Sequence, residues 1–215
     1  MGKQRDADAP GLLALIAPLL ALALCALSPA GANRAAREGA AMAAARQPYT
    51  VRPWVLWDAR DPLRAVHARA DLDAVIVETP YERVRYEAYM ERLQALPVTP
   101  AWIEGWRRAA SGKFGFIVYA HSRGEANTEQ RFLAAFSPAT VALSDGTRLT
   151  STERVIFGPS PDFYTVGTFR EQRWTGSLTY RFPFPLDTCK PKGTLAFADG
   201  LGRRYRFPFD LSKYR

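Results

Sequence analysis

The chain has 215 residues, of which 47% are hydrophobic and 12% are aromatic, and it carries a formal net charge of +8. This composition excludes an intrinsically disordered chain and is sufficient for one principal domain with a hydrophobic core. The positive charge favours anionic partners over cationic ones.

The first 32 residues have the features of an export signal. Lys3 and Arg5 precede an apolar run over residues 12–27, and Ala30-Gly31-Ala32 forms a small-x-small cleavage site. We predict cleavage after Ala32, which gives a periplasmic, envelope-associated or secreted protein. The run spans about 16 residues, fewer than the roughly 20 of a membrane-spanning helix, so a permanent anchor is only an alternative.

The two cysteines bear on the same question. Leu22-Ala23-Leu24-Cys25 resembles the lipobox of bacterial lipoproteins, although Leu24 stands where that pattern has a small residue. Lipidation at Cys25 is therefore an alternative to cleavage after Ala32. Cleavage would leave Cys189 as the only cysteine, so we expect no internal disulfide. We interpret Cys189 as a small loop residue, because no histidine base lies near it in the sequence.

Residues 33–48 are rich in alanine and have little apolar bulk, so we interpret them as a spacer. A mainly helical part is predicted over residues 49–112. Asp61-Pro62 indicates a short helix, and the β-branched run within residues 73–78 indicates a strand. Thr79-Pro80 and Thr99-Pro100 each predict the start of a helix, the first ending near Leu96 and the second at Ser111-Gly112.

From Lys113 onward the sequence changes to short strand-like runs separated by turn signals. Asp145-Gly146 and Asp199-Gly200 each predict a hairpin turn. We predict strands at residues 114–120, 132–143 with a break at Ser137-Pro138, 148–157, 163–169, 174–182, 194–198 and 203–209. This spacing predicts a mainly β fold, in which residues 113–215 form an antiparallel β-sandwich of immunoglobulin-like architecture and the N-terminal helical pair packs against it.

The motif Tyr-Arg-Phe-Pro-Phe occurs twice, at residues 180–184 and 205–209. Successive side chains of a strand point to opposite faces, so each copy presents its aromatic residues to one side. We expect that side to line the core. Strands tolerate proline only at an edge, a bulge or a strand end, because it has no N–H for a β-ladder. We therefore predict that the two copies stop pairing at Pro183 and Pro208.

The C-terminal end of the chain is strongly basic. Residues 189–215 contain seven basic and two acidic side chains, a net charge of +5. Our leading hypothesis is a non-enzymatic, exported cell-envelope protein that binds or scaffolds, with this end facing an anionic envelope polymer or membrane surface. No intracellular nucleic acid is expected as a partner. The predicted polyanion-binding residues are Lys190, Lys192, Arg203, Arg204, Arg206 and Lys213.

The sequence contains no recognisable catalytic, metal-binding or cofactor-binding motif, so we predict no cofactor or metal site. His121 and Ser122 could be combined with Asp145 in a hydrolase triad, or His121 with Glu125 in a metal pair, but we expect His121 on a surface loop. A secreted hydrolase acting on a polysaccharide or an ester is the second hypothesis, with His121 and nearby carboxylates as its catalytic groups.

Two further features have alternative interpretations. The acidic pairs at Asp71 and Asp73, and at Glu78 and Glu82, could serve acid-base catalysis, but their spacing is typical of helix caps and solvated faces. The tryptophans of the second predicted helix, Trp102 and Trp106, could form a docking surface for a protein partner, although one-face spacing favours core positions. Docking through the helical pair is the third hypothesis.

Overall fold

The computed structural model describes residues 25–59, 71–123, 131–185 and 188–214, and in these ranges the chain forms three layers. Three α-helices cover one face of a five-stranded antiparallel sheet, and a four-stranded antiparallel sheet covers its other face. The helices are α1 (Pro29–Ala44), α2 (Pro80–Leu93) and α3 (Pro100–Ala110). Short 3-10 helices lie at Arg52–Trp54, Phe132–Ala135 and Leu211–Lys213.

The strands of the described residues are distributed over two sheets. In chain order they are β1 (Val55–Asp58), β2 (Leu72–Glu78), β3 (Lys113–His121), β4 (Thr140–Leu143), β5 (Arg148–Thr150), β6 (Glu153–Val166), β7 (Phe169–Pro183), β8 (Lys192–Ala198) and β9 (Arg204–Asp210). The five-stranded sheet has the order β1-β2-β3-β7-β6, and the four-stranded sheet has the order β5-β4-β8-β9. The fold is therefore mixed α/β, since β1 and β2 from the mainly helical part join the larger sheet.

Alternation along β3 explains why this sheet is covered on both faces. Phe114, Phe116 and Val118 point into the core between the two sheets. Ile117 and Tyr119 point the other way and pack beneath the helices. A strand with both faces covered reads as a nearly continuous apolar run, which is the pattern that predicted it.

The repeated aromatic motif lines the core between the sheets. Tyr180 and Phe182 of β7 are fully buried, and Phe209 of β9 is 5% exposed. Pro183 is the last residue of β7, and Pro208 lies in β9, at an edge of the smaller sheet. Pairing of β7 ends at Pro183, as predicted, whereas β9 continues to pair as far as Asp210, so the predicted stop at Pro208 is wrong. An edge strand admits the proline because its N–H can face away from the neighbouring strand.

The two predicted helix starts are confirmed as capped starts. The Thr79 hydroxyl accepts a hydrogen bond from the Glu82 N–H, and Thr99 accepts one from the Trp102 N–H. Helix α2 ends three residues earlier than predicted, and Ala95 just beyond it has a left-handed φ of 59°. The backbone therefore leaves the helix before Pro97 could interrupt it.

The interpretation of residues 33–48 as a spacer is wrong, because most of them belong to α1, which packs on α2. The buried face of α1 is made of small side chains, so its backbone approaches α2 closely. A Cβ atom on Gly39 would lie 2.0 Å from the carbonyl oxygen of Arg85. Close packing of these small residues against α2 stabilises the helix, although the segment has few large apolar side chains. The buried residues are Ala32, Ala35, Ala36, Gly39 and Ala43.

The expectation of no internal disulfide is also wrong, because Cys25 and Cys189 are bonded to each other. The bond is consistent with export to an oxidising compartment. It also occupies the sulfur that a lipid would need, so this oxidised form excludes acylation at Cys25. Cleavage after Ala32 would remove Cys25 and cut the first turn of α1, and that cleavage remains a prediction.

Three predicted strands differ in the structure. The stretch predicted as one bent strand over residues 132–143 is a 3-10 helix at Phe132–Ala135 followed by β4. The strand predicted over residues 148–157 is divided between β5 of the smaller sheet and β6 of the larger sheet. β6 then continues past the predicted stop at residues 158–161 to Val166, with an irregularity between Phe157 and Ser160 and a cis Gly158–Pro159 bond. Gly158-Pro159-Ser160-Pro161 was predicted to end the strand, but a bulge allows proline within a strand. The strand predicted over residues 163–169 is interrupted by the turn between β6 and β7.

Within the described ranges, no helix has the length and apolar character needed to cross a membrane. The short helix predicted at Asp61-Pro62 lies outside the described residues.

Candidate functional site

Polar side chains from four chain segments meet at one end of the two sheets. Asp71 precedes β2, and Asp73 lies within it, while His121 ends β3. Asp199 lies in the turn that follows β8, and Tyr164 comes from the long β6–β7 hairpin. Antiparallel pairing places the start of β2 beside the end of β3, with Leu72 opposite Ala120. We call this region the end site.

His121 is buried in the end site, at 3% exposure, so its predicted place on a surface loop is wrong. Its Nδ1 atom lies 2.9 Å from Asp73 Oδ1, and the Tyr164 hydroxyl donates a hydrogen bond of 3.0 Å to Asp73 Oδ2. The rings of His121 and Tyr164 are 4.6 Å apart. Because a carboxylate only accepts, Nδ1 carries a hydrogen, which leaves Nε2 of the neutral ring as an acceptor.

The Nε2 atom of His121 is buried and has no hydrogen-bond partner within the described part of the chain. Unpaired buried polar atoms are uncommon in folded proteins and each calls for an explanation. His121 also lines a cavity of about 260 Å³ at the end site. The end site therefore combines an oriented histidine with open space.

A second polar network holds the charged side of the end site. Arg123 pairs with Asp71, and its Nη2 atom donates to Asp199 Oδ2 at 2.6 Å. The Tyr205 hydroxyl donates to the same Asp199 oxygen at 3.1 Å. Burial, followed by the charge of Asp199, raises the pKa of Tyr205 to about 12, so its hydroxyl remains a donor at neutral pH. These bonds fix the β8–β9 turn against the end of β3.

The other wall of the cavity is apolar. Phe132, Ala135 and Phe136 line it from the 3-10 helix and the residue that follows. Leu201, at the tip of the β8–β9 turn, is 74% exposed and completes the wall. Arg131 also lines the cavity and is exposed.

The six predicted polyanion-binding residues are not in one patch. Arg204 and Arg206 are exposed on the outer face of the four-stranded sheet. Arg203 lies at the end site, with its Nη1 atom 3.8 Å from Asp71 Oδ2. Lys192 pairs with Asp210 at 3.0 Å, and Lys190 and Lys213 are exposed at the opposite end of β8 and β9.

The outer face of the four-stranded sheet also contains an arginine that was not predicted from the sequence. Arg148 of β5 is exposed and pairs opposite Ala142, which puts it on the same face as Arg206 opposite Ala196. Arg148 is level with Pro208, two residues from Arg206 along β9. Three strand spacings of ~4.8 Å and two residues of ~3.4 Å therefore separate these arginines by about 16 Å. Arg148 is distant in sequence from the basic C-terminal end, so charge clustering along the chain gave no signal for it.

Small side chains fill the outer face between these arginines. The face is formed by alternate residues of β4, β8 and β9, whose other residues are buried in the core. Its acidic strand residue, Asp210, is already paired with Lys192. The small residues are Thr140, Ala142, Thr150, Thr194, Ala196 and Ala198.

The structure does not assemble the predicted hydrolase triad. Asp145 lies in the β4–β5 turn, where its Oδ1 atom accepts a hydrogen bond from the Thr147 N–H at 2.7 Å. This turn is beside Gly193, whereas the end site is at the other end of β8. The carboxylate that reaches His121 is Asp73 instead. Ser122 Oγ accepts a hydrogen bond from the Trp174 N–H.

The predicted acidic pair of Glu78 and Glu82 is resolved into separate structural contacts. Glu78 forms a two-point ion pair with Arg181, at 2.7 and 2.9 Å. Glu82 is 2% exposed and accepts a hydrogen bond from the Tyr49 hydroxyl. Burial raises the pKa of Glu82 to about 8. Across the described ranges no group of three or more metal-ligating side chains is found, and Glu125 lies outside them.

The predicted docking tryptophans are half-buried on α3. The rings of Trp102 and Trp106 lie 6.0 Å apart, and with Gly105 and Ala109 they line a shallow hollow. They are neither fully in the core nor fully exposed.

The chain was compared with protein-family models, curated proteins and solved structures. No family model, curated protein or solved structure matches it.

Proposed function

We propose that this protein is an exported, non-enzymatic binding module of the cell envelope, which attaches to an anionic polymer or membrane surface through the outer face of its four-stranded sheet. The observation that carries the proposal is the grouping of Arg148, Arg204 and Arg206 on that face. In the described part of the chain, no hydrogen bond or ion pair engages these three side chains.

The chemistry of the face suits an extended anion. Guanidinium groups bind carboxylates and phosphates through paired hydrogen bonds, and unpaired ones need not first break an internal contact. The small residues between them let a polymer lie close to the sheet. The net charge of +8 adds a longer-range attraction that brings anionic surfaces toward the protein.

The proposal includes an immunoglobulin-like architecture and a location in the periplasm or cell envelope. Two packed antiparallel sheets support the proposed immunoglobulin-like architecture, and the Cys25–Cys189 disulfide supports a periplasmic or envelope location.

The test is cosedimentation of the purified protein with isolated cell-envelope material across a salt series. We expect R148E/R204E/R206E to lose binding and to reduce the dependence of binding on salt by about one power of salt concentration per arginine removed. The control is R34E/R37E/R92E, which makes the same change in net charge on exposed arginines of the helical layer. Equal binding by the two triple variants would reject the outer face as the attachment surface.

The Asp73–His121 pair favours a second candidate function. A histidine oriented by a carboxylate can act as a general base, so we also propose a secreted hydrolase acting on a polysaccharide or an ester at the end site. This candidate requires a hydrolytic activity in the wild-type protein that H121A abolishes and that D73N reduces. A folded wild-type protein inactive on a broad panel of esters and polysaccharides would reject it. Docking of a protein partner through Trp102 and Trp106 remains a prediction.

A further inference from the structure

The cavity at the end site has two chemically different walls. Its apolar side is built by Phe132, Phe136 and Leu201, and its polar side by His121 and the Arg123 network. A volume of about 260 Å³ lies just below the roughly 300–1,000 Å³ of sites for drug-sized ligands. The cavity therefore suits a single ring with polar substituents along one edge.

His121 specifies one of those substituents. Asp73 holds Nδ1 as the donor, so Nε2 of the neutral ring needs a partner that donates a hydrogen bond. A carboxylate or phosphate alone cannot supply that hydrogen. A hydroxyl group can.

The charged residues specify the other substituent. The carboxylate of Asp199 already accepts hydrogen bonds from Arg123, Tyr205 and the backbone N–H groups of Leu201 and Arg203. It therefore has little capacity left to bind a cation. Arg131, in contrast, is exposed at the cavity, and no ion pair or hydrogen bond of its side chain exists among the described residues. Asp71, the other carboxylate of the lining, pairs with Arg123 and lies 3.8 Å from Arg203. Among the described lining residues, the charge available to a ligand is therefore positive and favours a carboxylate.

We propose that this cavity binds one acidic sugar unit, with its hydroxyl groups toward His121, its carboxylate toward Arg131 and the apolar face of its ring against Phe132 and Leu201. A sugar acid combines these three groups on one ring. The inference deepens the proposed function, because an acidic envelope polysaccharide would meet both surfaces. The identification of the ligand as part of an envelope polysaccharide rests on the proposed function, whereas the binding of a single acidic sugar does not.

The experiment is calorimetric titration of the purified, oxidised protein with D-glucuronic acid, and with D-glucose as the matched probe that lacks the carboxylate. We expect glucuronate to bind at least tenfold more tightly than glucose. R131Q should remove most of that difference, and R131K should retain part of it. L201A should weaken both sugars about threefold, because the exposed leucine contacts the ring in either case. R34Q, on the helical layer, is the control and should change neither.

A second readout addresses His121 without replacing a buried residue. The chain has only two histidines, so the ring nitrogens can be assigned in nitrogen-15 NMR spectra. We expect glucuronate to shift the Nε2 signal of His121 and to leave the signals of His67 unchanged. Binding without that shift would overturn the assignment of the hydroxyl to His121, and absence of glucuronate binding would overturn the whole inference.

The outer-face variant separates this inference from the proposed function. R148E/R204E/R206E should bind glucuronate as the wild-type protein does, even though it no longer sediments with envelope material. Loss of glucuronate binding in that variant would show that the sugar binds on the outer face and not in the cavity.

Discussion

The disulfide between Cys25 and Cys189 gives the most informative prediction about stability. It joins residues 164 positions apart, so it closes almost the whole described chain into one loop. In the chain-entropy account, a loop of this length restricts the unfolded state by about 5 kcal/mol at 25 °C. This is a large share of the roughly 5–15 kcal/mol by which native proteins are stable.

We expect most of this effect to act on the unfolded state, because other contacts hold the N-terminal segment in the folded protein. Arg107 donates a hydrogen bond of 3.2 Å to the carbonyl oxygen of Leu27. The Ser28 hydroxyl caps α1 by accepting a hydrogen bond from the Gly31 N–H. The folded structure should therefore persist without the bond.

The perturbation is C189S, with C25S as the matched variant that removes the same bond from its other end. Each should lower the free energy of unfolding by up to about 5 kcal/mol, and the thermal midpoint by about 10–20 °C. The double variant should lose no more than either single variant, because all three remove one shared interaction. Urea titration and calorimetry measure these changes.

Thiol titration of the unfolded wild-type protein completes the test and should find no free thiol. Two free thiols per intact chain, together with a C189S variant as stable as wild type, would refute the reasoning. The same assay on protein recovered from an exporting cell tests the predicted cleavage after Ala32. That cleavage would leave Cys189 as a free thiol and remove the Ser28 cap.

Three further predictions concern particular residues. Calorimetric unfolding should show that G39A costs about 2–3 kcal/mol, because its Cβ would overlap the α2 backbone, whereas G105A, with open space around it, should gain ~0.5–1 kcal/mol. Because the folded pKa of Glu82 is raised to about 8, the folded state holds a proton that the unfolded state loses near pH 4.5. Stability should therefore fall as pH rises from about 4.5 to 8 in urea titrations, and E82Q should flatten this trend. R181M should cost about 3–5 kcal/mol by urea titration, since it leaves the buried Glu78 unpaired, and adding E78Q should recover part of that loss.

Short sequence motifs correctly predicted the helix starts and hairpin turns, because neighbouring residues determine these structures. The Thr-Pro starts of α2 and α3 specify caps that need no distant partner. The Asp-Gly turns likewise specify the β4–β5 and β8–β9 hairpins, because their flanking residues pair directly. The aromatic alternation in β7 then predicted which face of that strand lines the core.

The low content of large apolar side chains led to the wrong prediction for α1. Alanine and glycine contribute little apolar area, so the segment resembled a spacer in composition. Their value emerges only when α2 lies alongside, because Gly39 then admits the Arg85 backbone at a distance that any larger residue would prevent. The disulfide was missed for a different reason, since Cys25 lies in the predicted signal and its partner Cys189 is at the other end of the chain.

The end site could not be predicted because it is assembled from long-range pairing. Asp73 reaches His121 only through the register of β2 and β3, and Tyr164 reaches Asp73 only because the β6–β7 hairpin covers that end of the sheet. Taken alone, each residue has an ordinary structural role: Asp73 could be a helix cap, His121 a loop histidine and Tyr164 an aromatic residue of a strand. The sequence therefore named His121 as a candidate but paired it with Asp145, which lies at the opposite end of the smaller sheet.

The β8–β9 hairpin belongs to both proposed surfaces, and this determines which substitutions can separate them. Asp199 in its turn anchors Arg123 at the end site, while Arg204 begins the exposed arginines of the outer face five residues later. A change in the turn would therefore disturb both surfaces and could not distinguish them. Arg131 and Arg148 lie on other segments, one at each surface, so the contrast between R131Q and R148E isolates the cavity from the outer face. Loss of sugar binding with the first alone, and weaker envelope binding with the second alone, is the outcome that two separate sites require.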